Sequence, residues 1–147
     1  MTPFLQQAIA DRKLGLALHY PLLHAAVIGL GAKRTLEFGA GGSTRVILDA
    51  LPPGGEHFSI STETRTQLEE RHGIALDRPG WTHFCGLSDS FRWGGLGPLD
   101  LVLHDGSHAA EVVAADIAWV WPLLKRFGLL LVHDTQHSYV GAQMREG

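Results

Sequence analysis

The stretch Glu37–Arg45, which reads EFGAGGSTR, decides the fold of this chain. It begins in a short apolar strand predicted over Thr35–Phe38 and leads into a helix predicted over Ser43–Leu51, with Ser43 or Thr44 as its cap. Glycines between such elements let the backbone turn sharply and admit a ligand closely. The order of strand, glycine-rich loop and helix therefore predicts a ligand site, although a ligand-free turn uses the same residues.

The length and composition predict one globular domain. The chain has 147 residues, of which 45% are hydrophobic and 18% charged, and this is enough for a sizeable core. We expect a single domain over residues 1–147, with N-terminal helices in 1–33, a core of βα units in 34–135 and a C-terminal segment in 136–147.

Charge and apolar runs exclude several partners. A formal net charge of −3 without a long run of Lys or Arg predicts no nucleic-acid partner. No apolar stretch reaches the roughly 18 residues of a membrane span, and no signal-peptide pattern opens the chain, so we expect no membrane partner and a cytoplasmic location. The single cysteine, Cys85, cannot form an internal disulfide.

Apolar runs alternate with helical patterns along the rest of the chain. Helices are predicted over Thr2–Ala10, Leu14–Gly31, Thr64–His72 and Ala109–Phe127, and further strands over His57–Ser61, Trp81–Cys85, Leu99–His104 and Leu129–His133. This alternation predicts an α/β domain with a doubly wound, Rossmann-like and mostly parallel sheet of about five strands, covered by helices on both faces. Ligands of such sheets bind beyond the carboxyl ends of the strands.

Two phosphate-binding motifs do not fit the glycine-rich loop. The dinucleotide fingerprint G-x-G-x-x-G needs a third glycine where Thr44 stands, and a Walker loop needs a lysine directly before Ser43. The acid before the glycines, Glu37, favours a ligand with positive charge near the loop over a pyrophosphate. S-adenosylmethionine has an ammonium and a sulfonium, so it suits this loop, and a nicotinamide dehydrogenase is a minor alternative.

Three later segments follow the loop in a recognisable order. Leu99–His108 reads LDLVLHDGSH, Trp121–Lys125 reads WPLLK and His133–Thr135 reads HDT. From Thr35 to Thr135 the chain resembles the class I S-adenosylmethionine-dependent methyltransferases, in particular their small-molecule O-methyltransferase-like branch. The resemblance implies S-adenosylmethionine as cofactor and methyl transfer to a hydroxyl of a small-molecule acceptor. The alternative is a catalytically inactive cofactor-binding or assembly module with the same fold.

The resemblance also implies a set of cofactor-binding residues. They are Glu37, Gly39, Ala40, Gly41, Gly42, Ser43, Ser61, Glu63, Ser88, Asp89 and Asp105. Glu37 would face the ammonium, and Ser88 with Asp89 would meet the adenine amine or cap a helix. The family places an acid for the ribose at the end of strand two. Ser61 stands there in this chain, so Glu63 either reaches the ribose or is a solvated acid at a helix start.

Ionisable residues gather after strands four and five. Related metal-dependent enzymes imply a divalent metal on Asp105, His133 and Asp134, and the nitrogen of His133 would favour a softer transition metal over magnesium. The competing mechanism uses His108 as a general base, with Asp105 and Asp134 also in the catalytic set. His137 lies near this group in sequence. His104 is expected to be a hydrogen-bonded core residue, and His19, His57 and His83 are expected to take no part.

The family sheet continues for two strands after strand five, whereas only a short helix, predicted over Ser138–Glu146, follows here. Strand five is therefore expected to be an edge. Three explanations stay open: a partner chain in a homodimer covers the edge, the C-terminal helix covers it, or the natural C-terminus has been lost.

Overall fold

The parallel sheet predicted from the alternating pattern is present. The computed structural model describes residues 2–10, 15–91 and 95–135. The predicted helix over Ser138–Glu146 and His137 lie outside these residues. Within the described part of the chain, the strands are β1 (Arg34–Phe38), β2 (Glu56–Ser61), β3 (Trp81–Cys85), β4 (Leu99–His104) and β5 (Leu124–Val132).

All pairings in the sheet are parallel, and the strand order is β3-β2-β1-β4-β5. Phe38 at the end of β1 pairs with Ile60 of β2 and His104 of β4, and His104 pairs in turn with Val132 of β5. The carboxyl ends of the strands therefore lie along one edge. This confirms the predicted fold class, and among the residues that the structure describes β5 lies at one edge of the sheet.

Five helices connect or precede the strands. They are α1 (Pro3–Ala10), α2 (Tyr20–Gly29), α3 (Gly42–Ala50), α4 (Arg65–His72) and α5 (Ala110–Val120), among the residues described. The cap of α4 agrees with the sequence, since the Thr64 side chain accepts from the amide of Gln67 and Gly73 ends the helix with a φ of 64°. No helix in the described ranges has both the length and the apolar character needed to cross a membrane.

Apolar side chains cover both faces of the sheet. On one face, Leu23 of α2 and Ile47 of α3 pack with Leu103 of β4. On the other face, Val120 at the end of α5 packs with Val102 of β4, and partly buried aromatic rings surround them. Because β4 is covered on both faces, its sequence is nearly all apolar from Leu99 to Leu103, with Asp100 as the exception, rather than alternating.

The boundaries between α5 and β5 differ from the prediction. We expected a helix to Phe127 and a strand from Leu129, but the helix ends at Val120 and β5 begins at Leu124. Pro122 explains the early end, since proline has no amide proton and clashes with the preceding turn, and here it lies in a short 3₁₀ turn, Trp121–Leu123. Pairing with β4 then takes in residues with a helical pattern, across an irregularity in the register.

Two details near the N-terminus and the glycine-rich loop also differ. The single helix expected from Leu14 is a 3₁₀ turn, Gly15–His19, followed by α2, because Pro21 is best placed in the first turn of a helix. The cap of α3 is Gly41 rather than Ser43 or Thr44. The Thr44 hydroxyl accepts from the amide of Gly41 at 3.0 Å, but the Ser43 and Thr44 hydroxyls both donate elsewhere, as described below.

Candidate functional site

A cavity of about 660 Å³ opens beyond the carboxyl ends of β1 to β4. Its size is in the range of small-molecule sites. The lining includes these residues predicted to bind cofactor: Gly39, Ala40, Ser61, Glu63, Ser88, Asp89 and Asp105. It also includes Glu111 and Asp116 of α5, which sequence reasoning missed because the pattern of α5 gives no sign of which helix positions turn toward the strand ends.

The glycine-rich loop packs closely against two neighbours. Gly39 has a φ of 88°, and a Cβ there would lie 2.2 Å from the backbone oxygen of Asp105. A Cβ on Gly42 would lie 2.2 Å from the hydroxyl of Tyr20 in α2. Gly41 has more room, since a Cβ there would meet only the His72 ring at 3.7 Å. Glycine is therefore required at Gly39 by conformation and space, and at Gly42 by space alone.

Glu37 is completely buried beneath this loop. The Ser43 hydroxyl donates to one carboxylate oxygen, the Thr44 hydroxyl donates to the other at 2.5 Å, and His57 Nε2 lies 3.3 Å from that second oxygen. Thr35 Oγ1 hydrogen-bonds His57 Nδ1 at 2.9 Å. We call these five residues the glycine-loop cluster. They join β1, β2 and the start of α3, so their hydrogen bonds fix the position of the glycine-rich loop between β1 and α3.

This arrangement bears on four residues predicted to contact cofactor. Glu37, Gly41, Gly42 and Ser43 are absent from the cavity lining, and the Glu37 carboxylate points to its own cluster. A direct contact between Glu37 and an ammonium stays a prediction from the resemblance. His57, expected to take no part, is a member of the cluster. The register of β1 and β2, which pairs Thr35 with His57, puts it there, and that register cannot be read from either strand alone.

Glu63 lies at the cavity, where one of the two alternatives for this acid requires it. Its carboxylate pairs with Arg71 of α4, and its backbone amide donates to Ser61 Oγ at 3.3 Å. His83 Nε2 lies 2.7 Å from the Glu63 carbonyl oxygen. Burial lowers the pKa of His83, so a neutral ring can donate to that carbonyl while its Nδ1 accepts from Ser59 at 2.9 Å.

A second group of ionisable residues, Asp105, His108, His133 and Asp134, lies at the ends of β4 and β5, and we call it the strand-end cluster. His133 Nδ1 is 2.9 Å from Asp105 Oδ1 and 3.2 Å from Asp134 Oδ1. His108 Nε2 is 3.0 Å from Asp134 Oδ2. Burial raises the pKa of Asp105, the negative charges of Glu37 and Asp134 add to this effect, and His133 opposes it.

The geometry of this cluster suits a metal ion. Despite the short distances, the buried Nδ1 of His133 makes no well-directed hydrogen bond to either carboxylate. One ligand atom from each of Asp105, His133 and Asp134 lies within 4.8 Å of the other two. A buried nitrogen that lies between two carboxylates without a hydrogen bond is an arrangement that a shared cation would satisfy, and mixed nitrogen and oxygen ligands suit a transition metal.

Two other histidines complete the surroundings. His104 is buried and its Nε2 lies 3.2 Å from Asp116 Oδ2, so it is the hydrogen-bonded core residue that the sequence predicted. His19, expected to take no part, packs its ring 5.5 Å from that of His133. No sequence signal links His19 with His133, because they are far apart in the chain and only the packing of the segment at the start of α2 brings them together.

Comparisons with known proteins agree with this architecture. The sequence model of a family described as methyltransferase domain matches residues 36–135. A curated relative, the 8-demethyl-8-alpha-L-rhamnosyl tetracenomycin-C 2'-O-methyltransferase of Streptomyces olivaceus, is 30% identical over 80 residues, which are 54% of this chain and 20% of that enzyme. The chain thus matches about a fifth of that relative's length.

Solved structures show the same fold. The O-methyltransferase TomG of Streptomyces achromogenes, in complex with SAM, is 23% identical with a TM-score of 0.67 over 97% of this chain and 74% of its own. The methyltransferase MycE of the mycinamycin pathway, in complex with Mg and SAH, is 18% identical with a TM-score of 0.66 over 99% of this chain and 45% of its own. With its cavity at the carboxyl ends of a β3-β2-β1-β4-β5 sheet and a family match over most of its length, the chain belongs to the methyltransferase-domain family, as the resemblance implied.

Proposed function

We propose that this protein transfers the methyl group of S-adenosylmethionine to a hydroxyl of a small molecule. The observation that carries the proposal is the cavity at the carboxyl ends of β1 to β4, where residues predicted for the cofactor come together next to the strand-end cluster. The O-methyltransferase activity of the curated relative and the SAM and SAH complexes of the structural neighbours support the same assignment.

The cavity suggests how the cofactor would be held. Backbone groups of Gly39 and Ala40 would contact its methionine part, and Glu63, held by Arg71, would accept hydrogen bonds from the ribose hydroxyls. Ser88 and Asp89 would lie at the adenine. Glu37, Gly41, Gly42 and Ser43 would act by shaping the loop. In this assignment the acid for the ribose stands two residues after Ser61, and the turn after β2 places Glu63 at the cavity.

The strand-end cluster would prepare the acceptor. In the reaction, the acceptor oxygen forms a bond to the methyl carbon, the carbon–sulfur bond breaks with its electron pair going to sulfur, and the hydroxyl proton passes to a base. A divalent metal on Asp105, His133 and Asp134 would lower the pKa of the acceptor hydroxyl. In the competing mechanism without a metal, His108 beside Asp134 would take the proton. The complex of MycE with Mg supports the use of a metal.

Calorimetric titration with S-adenosylmethionine tests the proposal. We expect saturable binding that Glu63→Gln weakens by about 1 to 3 kcal/mol, the usual value of a charge-assisted hydrogen bond. Glu70→Gln on α4 is the matched control, since Glu70 is exposed and is absent from the cavity lining. Folded protein that shows no heat with millimolar ligand would contradict cofactor binding.

Binding without turnover would favour the second candidate, a catalytically inactive cofactor-binding or assembly module. The replacement of the usual acid by Ser61 is the feature that favours this candidate. Transfer of a labelled methyl group to any member of a panel of hydroxylated small molecules would exclude it. The assay should be run with chelator and after addition of Mn²⁺ or Mg²⁺, because full activity in chelator would exclude the metal and leave His108 as the base.

Two other expectations remain part of the proposal. A homodimer that covers the edge of β5 is expected to appear as twice the monomer mass in light scattering. The groove along this edge contains the exposed rings of Trp121 and Phe127 and the partly buried Leu130. A cytoplasmic location is the second expectation, and fractionation of cells that express the protein tests it.

A further inference from the structure

A second cavity, of about 460 Å³, lies beside the strand-end cluster on the face of the sheet that α2 covers. Its apolar walls come from the 3₁₀ turn before α2, from α2 itself and from β4 and β5. The apolar lining residues are Leu16, Leu22, Leu23, Leu103, Leu131 and Val132. His19, His133, Asp134 and Thr135 supply its polar lining. One end of the cavity therefore offers hydrogen-bonding groups and the rest offers hydrocarbon, which is the usual composition of a small-molecule site.

The second cavity adjoins the first through a single pair of side chains. Asp105 lines the first cavity and His133 lines the second, and the closest atoms of the two side chains are 2.9 Å apart. A group bound at the polar end of the second cavity is thus next to the strand-end cluster, and the cluster is next to the proposed cofactor. Because the reacting atoms must approach within about 3 to 3.5 Å, the hydroxyl of an acceptor in the second cavity would have to extend past the Asp105–His133 pair toward the first cavity.

The charges around the second cavity limit what it can bind. No lysine or arginine is among its lining residues, whereas Asp134 lines it and Asp105 lies just behind His133. An anionic ligand would meet these carboxylates without a compensating cation from the described residues. The leucine side chains favour an apolar body, which they would remove from water. Both features select an uncharged molecule.

We propose that the second cavity binds the methyl acceptor, and that the acceptor is an uncharged molecule with an apolar body and a hydroxyl directed at His19 and the strand-end cluster. The inference rests on the proposed function for its chemical meaning, but the cavity can be tested without cofactor. It also gives the N-terminal segment a role. The same helix that contributes Leu22 and Leu23 to this cavity packs Tyr20 against Gly42 of the glycine-rich loop.

Binding of 2-naphthol to the full chain, followed by calorimetry at neutral pH, tests this site. We expect 2-naphthol to bind at least tenfold more tightly than 6-hydroxy-2-naphthoate, which has the same ring and a carboxylate. Leu22→Glu places a charge on the cavity wall and should weaken 2-naphthol binding at least tenfold. Leu18→Glu is the matched control, because Leu18 and Leu22 are 61% and 64% exposed but only Leu22 lines the cavity.

The outcomes separate this inference from the proposed function. Binding of 2-naphthol that Leu22→Glu leaves unchanged, or equal binding of the naphthoate, would overturn the acceptor site, as would no binding at millimolar probe by folded protein. S-adenosylmethionine binding is measured on the same samples. If the cofactor binds and the probe does not, only the acceptor site fails. If the probe binds with the expected Leu22 dependence and the cofactor does not, the ligand site stands and methyl transfer fails.

Discussion

The glycine-loop cluster and the strand-end cluster differ in whether their hydrogen bonds are completed within the protein. Each has a carboxylate beside a histidine. In the first, every oxygen of Glu37 has a partner and both nitrogens of His57 are engaged. In the second, His133 Nδ1 lies close to two carboxylates without a hydrogen bond, and burial raises the pKa of Asp105.

This difference separates a structural role from a functional one. Buried polar groups that are fully paired make a loop rigid and require nothing more. Groups that bring like charges together and leave a buried nitrogen without a hydrogen bond cost free energy, and proteins retain such arrangements where a ligand offsets the cost. An acid beside a histidine does not by itself distinguish the two clusters, because both contain that pair; the glycine-loop cluster adds the hydroxyls of Thr35, Ser43 and Thr44. The distinction lies in whether the hydrogen bonds are completed within the protein.

The largest effect that would test this contrast is on stability. Glu37→Ala leaves His57 and the hydroxyls of Ser43 and Thr44 without their shared acceptor, so we expect a loss of about 3 to 5 kcal/mol in the free energy of unfolding. Urea denaturation followed by circular dichroism measures it. Asp134→Ala is the control from the strand-end cluster, and its more exposed side chain should cost less than about 1 kcal/mol. Equal costs for the two variants would remove the contrast.

The two histidines offer a matched pair for metal binding. His133→Ala removes a proposed ligand and should weaken Mn²⁺ binding at least tenfold, with little change in stability. His57→Ala should leave the Mn²⁺ affinity unchanged and lower stability by about 1 to 3 kcal/mol, because it leaves buried partners unpaired. Electron paramagnetic resonance of free Mn²⁺ measures the affinities. No Mn²⁺ binding by the unmodified protein would exclude the metal from the strand-end cluster.

The sequence predicted the central part of this architecture closely. The bounds of β3 and β4 agree with prediction to the residue, since Trp81–Cys85 and Leu99–His104 are apolar or β-forming runs between clear turn residues. The residues after β1 to β4 were placed at one edge by the rule for parallel sheets, and the cavity lies there. In this region the local sequence pattern and the overall topology indicate the same elements, so the prediction from sequence is accurate.

The errors occur where tertiary contacts override the local pattern. Leu124–Phe127 has a helical pattern but lies in β5, because β4 offers a pairing partner and Pro122 has already ended the helix. The partners of Glu37 in β2 and α3 were likewise not visible in the local pattern, and its contact with an ammonium stays a prediction. The second cavity was missed because its lining comes from segments more than a hundred residues apart, a proximity that no motif encodes.

A smaller effect is expected from the raised pKa of Asp105. Between its ordinary pKa and the raised value the folded state binds more protons than the unfolded state, so this group makes stability fall as pH rises through that window, and the penalty persists at neutral pH. Asp105→Asn should therefore raise Tm at neutral pH by about 2 °C, which corresponds to roughly 0.5 to 1 kcal/mol in a domain of this length. Thermal unfolding in chelator measures it. The gain should shrink as the pH approaches about 4, the ordinary pKa of the carboxyl, and a lower Tm at neutral pH would contradict the prediction.

The smallest effect concerns the pKa of Tyr20, to which a carboxylate from each cluster contributes. Burial raises its pKa to about 12, with contributions from the charges of Glu37 and then Asp105. The chain has two tyrosines, so absorbance at the phenolate band should rise in a separate step near that pH, and Tyr20→Phe should remove this step. Circular dichroism at each pH confirms that the fold persists, because an unfolded chain would titrate both groups near ~10.

Two variants then order the contributions to the Tyr20 pKa. Glu37→Gln should lower it more than Asp105→Asn does, since the Glu37 charge contributes more. Both changes are expected to stay within about 1 pKa unit, because each removes a single charge from a site where desolvation dominates. If Asp105→Asn has the larger effect, the strand-end cluster rather than the glycine-loop cluster sets the field at the start of α2. The two clusters would then be coupled through Tyr20 instead of acting separately.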